Sequence, residues 1–571
     1  MKNHEIAELL DEIADILEIK NVEWKPIAYR KAARSIETLT EDIEKIYKEE
    51  GFSGILELPG IGSGIGKKIA EYLETGKIKD LEELRKSVPG SVIAMMQIHG
   101  LGPKKVSKLY NKLKITSLGE LERAARFGKI RKLEGFGEKS EEDILMGLEL
   151  VKKKNERTLL GTVMPLADSI VAELRKLKEV SRADVAGSIR RRKETIKDID
   201  ILIISRKPEI VMDHFAKLDD VKTVLAKGIT KSAAVLKDGI NCDLRIVGEK
   251  SYGGALAYFT GSKEHNIRMR QIALKKGMKL SEYGLFDRKG KYLCGRTEKD
   301  IYAKLGLQYI EPEMRENMGE LELKKVPDLV KYNAIKGDLH MHTIWSDGVN
   351  TSEEMIKEAI KIGYEYVAIT DHSKSAYVAN GLDEKRLKKH LAELDVLKRK
   401  YKKDIHVLKG SEVDVLKDGS LDYSNKILNE LDIVVASIHS RFKDTKEQNT
   451  KRIINAMNNE HVNILGHPTG RIINQRNPYE FDLNLASKEA KKNHVALEIN
   501  SYPSRLDLKD VYIRQCVENN AVLVIDTDSH SISNLRFMEL GIAQARRGWA
   551  EGKNIINTMP LGKFLKFIDK K

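Results

Sequence analysis

Cysteine is scarce: three residues, Cys242, Cys294 and Cys516, in a chain of 571. Spread so widely, they supply neither a zinc-finger quartet nor a disulfide framework, and they point to a reducing, cytoplasmic setting. Long apolar runs are also missing. None reaches the roughly 20 residues that a membrane helix requires, so the chain is expected to work away from the bilayer. The opening stretch MKNHEIAELLDEIADIL is charged throughout and amphipathic, unlike a signal peptide. Acidic residues fall short of basic ones, 86 against 100, leaving a net charge of +14. That balance favours a polyanionic partner. Charged residues make up 33% and hydrophobic ones 41%, as in water-soluble proteins. The length exceeds what one core can hold, so three or four domains are expected.

The first 150 residues read as helices with short glycine-rich breaks. Three breaks share a plan: LPGIGSGIGKKIAEYL, IHGLGPKKVSKLY and LEGFGEKSEEDIL. Each has an apolar residue, a Gly-x-Gly turn and a new helix. Glycines let the backbone approach a phosphate closely, and the next helix presents its positive end to that anion. Such a grip reads no base. One copy is equally well explained as an ordinary helix connection. Three copies, two with lysines just after the turn, resemble helix-hairpin-helix motifs, with Gly60, Gly62, Gly100, Gly102, Gly135 and Gly137 as DNA contacts. The stretch VEWKPIAYRKAARSIETL reads as a basic helix with Trp24 and Tyr29, open to a purely packing role.

From about residue 183, short β runs alternate with helices. In VAGSIRRRKETIKDIDILI, Asp198 and Asp200 lie two apart on a strand and so face one side. Paired carboxylates repel unless cations lie between them, and magnesium suits them because it takes oxygen ligands and keeps positions open for phosphate oxygens. Asp243, in the apolar run NCDLRIV, offers a third carboxylate for a second ion. Upstream, the Gly187–Ser188 turn followed by Arg190, Arg191 and Arg192 reads as a triphosphate cradle.

AGSIRR…DIDILI, CDLRIV and YFTGSKEHNIRMRQIALKKGMKLSEYGLF resemble the family X DNA polymerases, over roughly residues 1–315. The resemblance implies a helical DNA-binding domain at 1–85, a helix-hairpin-helix subdomain at 86–150, a nucleotidyltransferase palm at 151–250 and a nucleotide-selection subdomain at 251–315. It implies Asp198, Asp200 and Asp243 as catalytic ligands for magnesium or manganese. Ser188 and Arg191 would contact the triphosphate, and Tyr258, Phe259 and Gly261 the incoming sugar. Asn266 would reach the base and Arg270 the template strand. Lys197 stands where the family often has glycine. Lys25 matches a 5′-phosphate contact. Lys68 matches the Schiff-base lysine of a 5′-deoxyribose phosphate lyase, a chemistry that needs a neutral amine.

A charged connector at 316–332 leads into a last region, 333–571, where seven apolar runs alternate with helical patterns: GDLHMHT, YVAITDHS, HVLKGSEVDV, DIVVASIHS, VNILGHPT, ALEINSY and VLVIDTDSH. This alternation predicts a parallel barrel with its site at the strand C-termini. Nine candidate ligands sit at those ends: His340, His342, Asp347, His372, Glu412, His439, His467, Asp528 and His530. One divalent ion takes about four to six ligands, so nine with a shared glutamate suit three ions of zinc, manganese or iron. The runs resemble the PHP domain (polymerase and histidinol phosphatase), a distorted (β/α)7 barrel. That resemblance implies one ion on His340, His342, Glu412 and Asp528, a second on Glu412, His439 and His467, and a third on Asp347, His372 and His530. It also implies phosphoester hydrolysis. Arg471 is open to either a substrate phosphate or a structural ion pair.

Together these readings imply a multidomain α+β and α/β polymerase. It would take gapped or primer-template DNA and dNTPs, act as a monomer in base excision repair, and trim 3′ ends or abasic sites through its barrel. The rival reading is a nuclease-led enzyme whose palm mainly positions DNA.

Overall fold

The computed structural model describes residues 2–37, 42–58, 60–98, 101–154 and 157–569. The chain forms two compact units, Met1–Glu156 and Arg157–Lys571.

The first unit is helical. In helix Lys2–Ile19, Ile6, Leu10 and Ile13 recur at helical spacing and are at most 1% exposed, forming the stripe around which the unit packs. The same core continues through Val106 and Leu121 to Leu148. Two of the predicted turns end in glycine N-caps, Gly62 for helix Ser63–Thr75 and Gly102 for helix Pro103–Leu113. The third leads through Gly137 into helix Glu138–Lys154. Gly60 and Gly135 take φ of 80° and 85°, a region that side chains disfavour, so the turns need glycine there. Gly100 lies outside the described residues.

The second unit begins with the palm. Its five-stranded sheet runs in the order Val180–Val185, Asp198–Ser205, Asn241–Ile246, Lys231–Leu236, Val221–Lys227. Helix Leu160–Arg175 packs its apolar face on this sheet. The one parallel pairing, Asp198–Ser205 with Asn241–Ile246, sets Asp200 directly opposite Asp243. Helices Tyr252–Thr260 and Lys263–Lys275 follow, and a three-stranded antiparallel sheet after them completes the subdomain.

Seven strands then build the barrel: Gly337–Asp338, Tyr366–Ile369, His406–Asp414, Ile433–Ser437, Ile464–Leu465, Ala496–Asn500 and Leu523–Asp526. They pair in sequence order and all in parallel. The two ends of the sheet meet: Met341 bridges Ser529, and Leu339 N–H donates to Asp526 at 2.9 Å. This nearly closed barrel is the one expected. Its strands are apolar on both faces because each is buried on both sides. Local signals set the outer helices. Thr351 and Glu354 form a capping box at helix Ser352–Ile362, which Gly363 ends at φ 93°. The last helix, Leu561–Ile568, floors the barrel, Phe564 stacking on Tyr366 at 4.4 Å.

Candidate active sites

Asp198 and Asp200 open onto a cleft of about 390 Å³, which Asp243 does not line. Ser188, Arg191, Asp198, Asp200, Tyr258, Phe259, Gly261, Asn266 and Arg270 all line it, so residues predicted from stretches about eighty positions apart come together. Gly187 takes φ 60°, and a Cβ there would stand 2.3 Å from Asp200 Oδ2. The turn can therefore exist beside the aspartate only without a side chain. Ser188 Oγ and Arg270 Nε are buried with no hydrogen-bond partner, the condition expected of donors that await an anion. Asp200 is pushed up to about 7, first by burial and then by the charges of Asp198 and Asp243. Divalent cations would relieve that repulsion. Asp243 reaches the cluster from the neighbouring strand and pairs with Lys231 at 3.2 Å.

The three-arginine cradle needs correction. Only Arg191 lines the cleft. Arg190 turns to Glu298, at 2.6 and 2.9 Å, and Arg192 to Glu539 at 3.0 Å. Consecutive residues at the end of this short helical turn point in different directions: the buried carboxylate of Glu298 claims Arg190, and the exposed one of Glu539 claims Arg192. Arg157 and Lys263 also line the cleft and were not foreseen. Lys263 sits in the quoted TGSK run, while nothing local marks Arg157.

All nine barrel ligands converge. Glu412 is the hub: its oxygens lie 2.9 Å from His372 Nδ1, 2.9 Å from His467 Nε2, 3.3 Å from His439 Nε2, and 3.4 and 3.5 Å from His340 and His342 Nε2. Asp528 Oδ1 lies 3.2 Å from His342 Nε2. Asp347 Oδ1 lies 3.4 Å from His530 and 3.7 Å from His372. Among the described residues, three groups hold ligand atoms all within 4.8 Å of one another: His342, Asp347, His372 and His530; His340, His342 and Glu412; His372, Glu412 and His439. The palm trio is looser. These groups overlap the expected three-ion partition, but His342 and His372 each belong to two groups, and Asp528 and His467, expected on the first and second ions, belong to none.

The donor chemistry fits cations. His340 Nε2, both ring nitrogens of His342, His372 Nδ1 and His467 Nδ1 are buried without hydrogen bonds. Burial lowers His439, yet Glu412 and Asp414 raise it to about 10. Carboxylates thus face His439 directly, a setting in which a cation would be balanced.

The supporting acids were missed. Glu498 Oε1 lies 2.6 Å from His340 Nδ1, and its other oxygen accepts the backbone N–H of His467. Asp414 holds His439 Nδ1. Asp371 accepts from Thr343 N–H at 2.8 Å and Ser346 Oγ at 2.6 Å, which fixes the turn that carries Asp347. Such partners orient ligating rings. Period two on their strands could have found Asp414, two residues beyond Glu412. Arg471 takes the structural option, pairing with Glu194 of the palm at 2.9 Å.

In the helical unit, Lys25 opens helix Lys25–Glu37 and is exposed. The ammonium of Lys68 pairs with Asp80, rather than standing among cations.

Four family models match the chain: "Helix-hairpin-helix domain" at residues 1–78, "SAM-like Helix-hairpin-helix tandem" at 92–150, "DNA polymerase beta thumb" at 255–316 and "PHP domain" at 338–502. The "DNA polymerase/3'-5' exonuclease PolX" of Bacillus subtilis is 39% identical over 575 residues, spanning all of both chains. A probable phosphatase of Clostridium acetobutylicum is 34% identical over 204 residues, 34% of this chain and 78% of that one. A probable phosphatase of Thermoanaerobacter is 29% identical over 245 residues, 41% of this chain and 94% of its own. The match over the full length, with thumb and PHP models in the same order, decides the matter: the chain belongs to the family X DNA polymerases that carry a C-terminal PHP domain.

Proposed function

We propose that this chain is a DNA-directed DNA polymerase that fills short gaps during repair and resects 3′ ends with its barrel as a 3′-to-5′ exonuclease. The observation that carries the reading is one chain holding two separate pockets, the acidic palm cleft and the imidazole-carboxylate cluster around Glu412. Divalent ions bound in either pocket would supply Lewis acidity towards the attacking oxygen and the phosphoryl charge. Magnesium or manganese suits the palm oxygens; zinc, manganese or iron suits the barrel's histidines.

In the palm, Asp198, Asp200 and Asp243 would hold the ions. The side-chain-free turn at Gly187 brings Ser188 Oγ against the triphosphate, and Arg191 adds charge. Tyr258 and Phe259, packed edge-to-face at 5.1 Å, form the wall for the sugar together with Gly261. Asn266 Nδ2 donates to Tyr258 O at 2.7 Å, so the residue that reaches the base is tied to that wall. In the barrel, Glu412 stands where two groups of donors meet and would serve both, while Glu498 and Asp414 fix the rings of His340 and His439. The two activities complement each other chemically, since a blocked 3′ end must be trimmed to a hydroxyl before the palm extends it. The glycine turns of the first unit grip DNA backbone without reading sequence. The chain acts as a monomer in the cytoplasm; among the described residues no helix is long and apolar enough to cross a membrane. Lyase chemistry at Lys68 is proposed only as an additional activity, one that requires Asp80 to release the amine.

Primer extension on gapped DNA tests the reading. Asp198→Ala with Asp200→Ala is expected to abolish extension and spare 3′ degradation; His340→Ala with His342→Ala is expected to do the reverse. Extension surviving in the palm variant would favour the nuclease-led alternative.

A further inference from the structure

The loop that follows the triphosphate turn is clamped by the barrel. Arg192 pairs with Glu539 at 3.0 Å and Glu194 with Arg471 at 2.9 Å. Between them, Arg547 donates to the backbone carbonyl of Arg191 at 2.8 Å. Glu316, the last residue of the thumb match, accepts from Arg191 Nε at 3.0 Å and from Arg547 Nη1 at 3.1 Å with the same oxygen. Asp510 of the barrel holds the other end of the Arg547 guanidinium. Arg547 is 4% exposed, and its helix, Met538–Arg547, belongs to the barrel.

We propose that Arg547 is a positioning residue for the polymerase site, so that the barrel forms part of the dNTP cradle. The inference rests on the polymerase reading above. Arg191 is the one arginine of its triplet that lines the cleft, and Glu316 competes with any phosphate for its charge. By sharing the Glu316 carboxylate, Arg547 weakens that competition. By holding the Arg191 carbonyl, it fixes the backbone from which the side chain reaches into the cleft. Neither effect touches the reacting atoms, so both act on nucleotide affinity more than on turnover.

Steady-state single-nucleotide gap filling by the full chain tests this, with 3′ degradation of single-stranded DNA as an internal control. Arg547→Met is expected to raise the KM for dNTP about tenfold while kcat changes less than threefold and degradation holds. Arg547→Lys restores charge towards Glu316 and is expected to recover part of the loss. Glu316→Gln removes the competing charge without emptying the barrel seam, and it is expected to lower the KM without changing degradation. It keeps the idea testable if Arg547→Met does not fold. An unchanged KM in both Arg547→Met and Glu316→Gln, or a parallel fall of both activities, overturns the proposal. If the wild-type chain fails to extend primers, the polymerase reading itself is what fails.

Discussion

Replacing Gly187 by alanine makes the sharpest demand on the palm. The residue sits at φ 60°, and its added Cβ would lie 2.3 Å from Asp200 Oδ2 and 3.2 Å from Asp200 Cγ. The left-handed backbone alone costs about 1–2 kcal/mol with a side chain present. A unit of this size withstands that, so the protein stays folded. The clash cannot be absorbed so easily. Relief to an ordinary contact distance moves the carboxylate by about 1 Å, and a misplacement of that size costs on the order of a hundredfold in rate. Gly187→Ala should therefore cut single-nucleotide gap filling about a hundredfold, with kcat affected at saturating dNTP. Degradation of 3′ ends by the barrel should stay within twofold, and thermal melting should drop by only a few degrees. Extension within threefold of wild type would show that Asp200 is not held where it must act, and the palm assignment would fall with it.

Glu498→Ala should lower exonuclease turnover and retained barrel metal about 10–100-fold, with extension unaffected; metal analysis after gel filtration reads this directly. Glu298 is buried, which pushes its carboxyl up, but Arg315 at 2.6 Å and Arg190 hold it well below the usual carboxylate range. Its contribution to stability is therefore complete above the unfolded value of about 4.3 and is lost as pH falls below it. Melting curves from pH 7 down to 3 should show a slope at the acid end that Glu298→Gln flattens, and that variant should lose about 3–5 kcal/mol at pH 7. Borohydride trapping on DNA with a 5′-deoxyribose phosphate should give a covalent adduct that Lys68→Ala abolishes; an adduct surviving that change would place any lyase amine elsewhere. Chelation should stop both activities, and manganese alone should restore extension.

The sequence was most legible where a short period forces side chains together. Asp198 and Asp200 declared a shared face because strand residues alternate. The barrel ligands declared themselves because parallel strands end on one side. What stayed hidden was whatever depends on partners far away in the chain. Arg190, Arg191 and Arg192 look alike as letters, and only Glu298, Glu316 and Glu539, more than a hundred positions distant, sort them. Glu498 and Asp371 lie inside runs that were read as strands, but burial against a histidine leaves no local mark. The seam between Glu194 and Arg471 joins residues that no local pattern relates.

The order of the barrel strands also sets a timetable. Since the pocket draws donors from His340 through to His530, it cannot close around a cation until His530 has left the ribosome. The catalytic half that builds DNA is synthesised before the half that degrades it can become competent. A chain cut short before His530 would therefore lack a complete donor set for the nuclease.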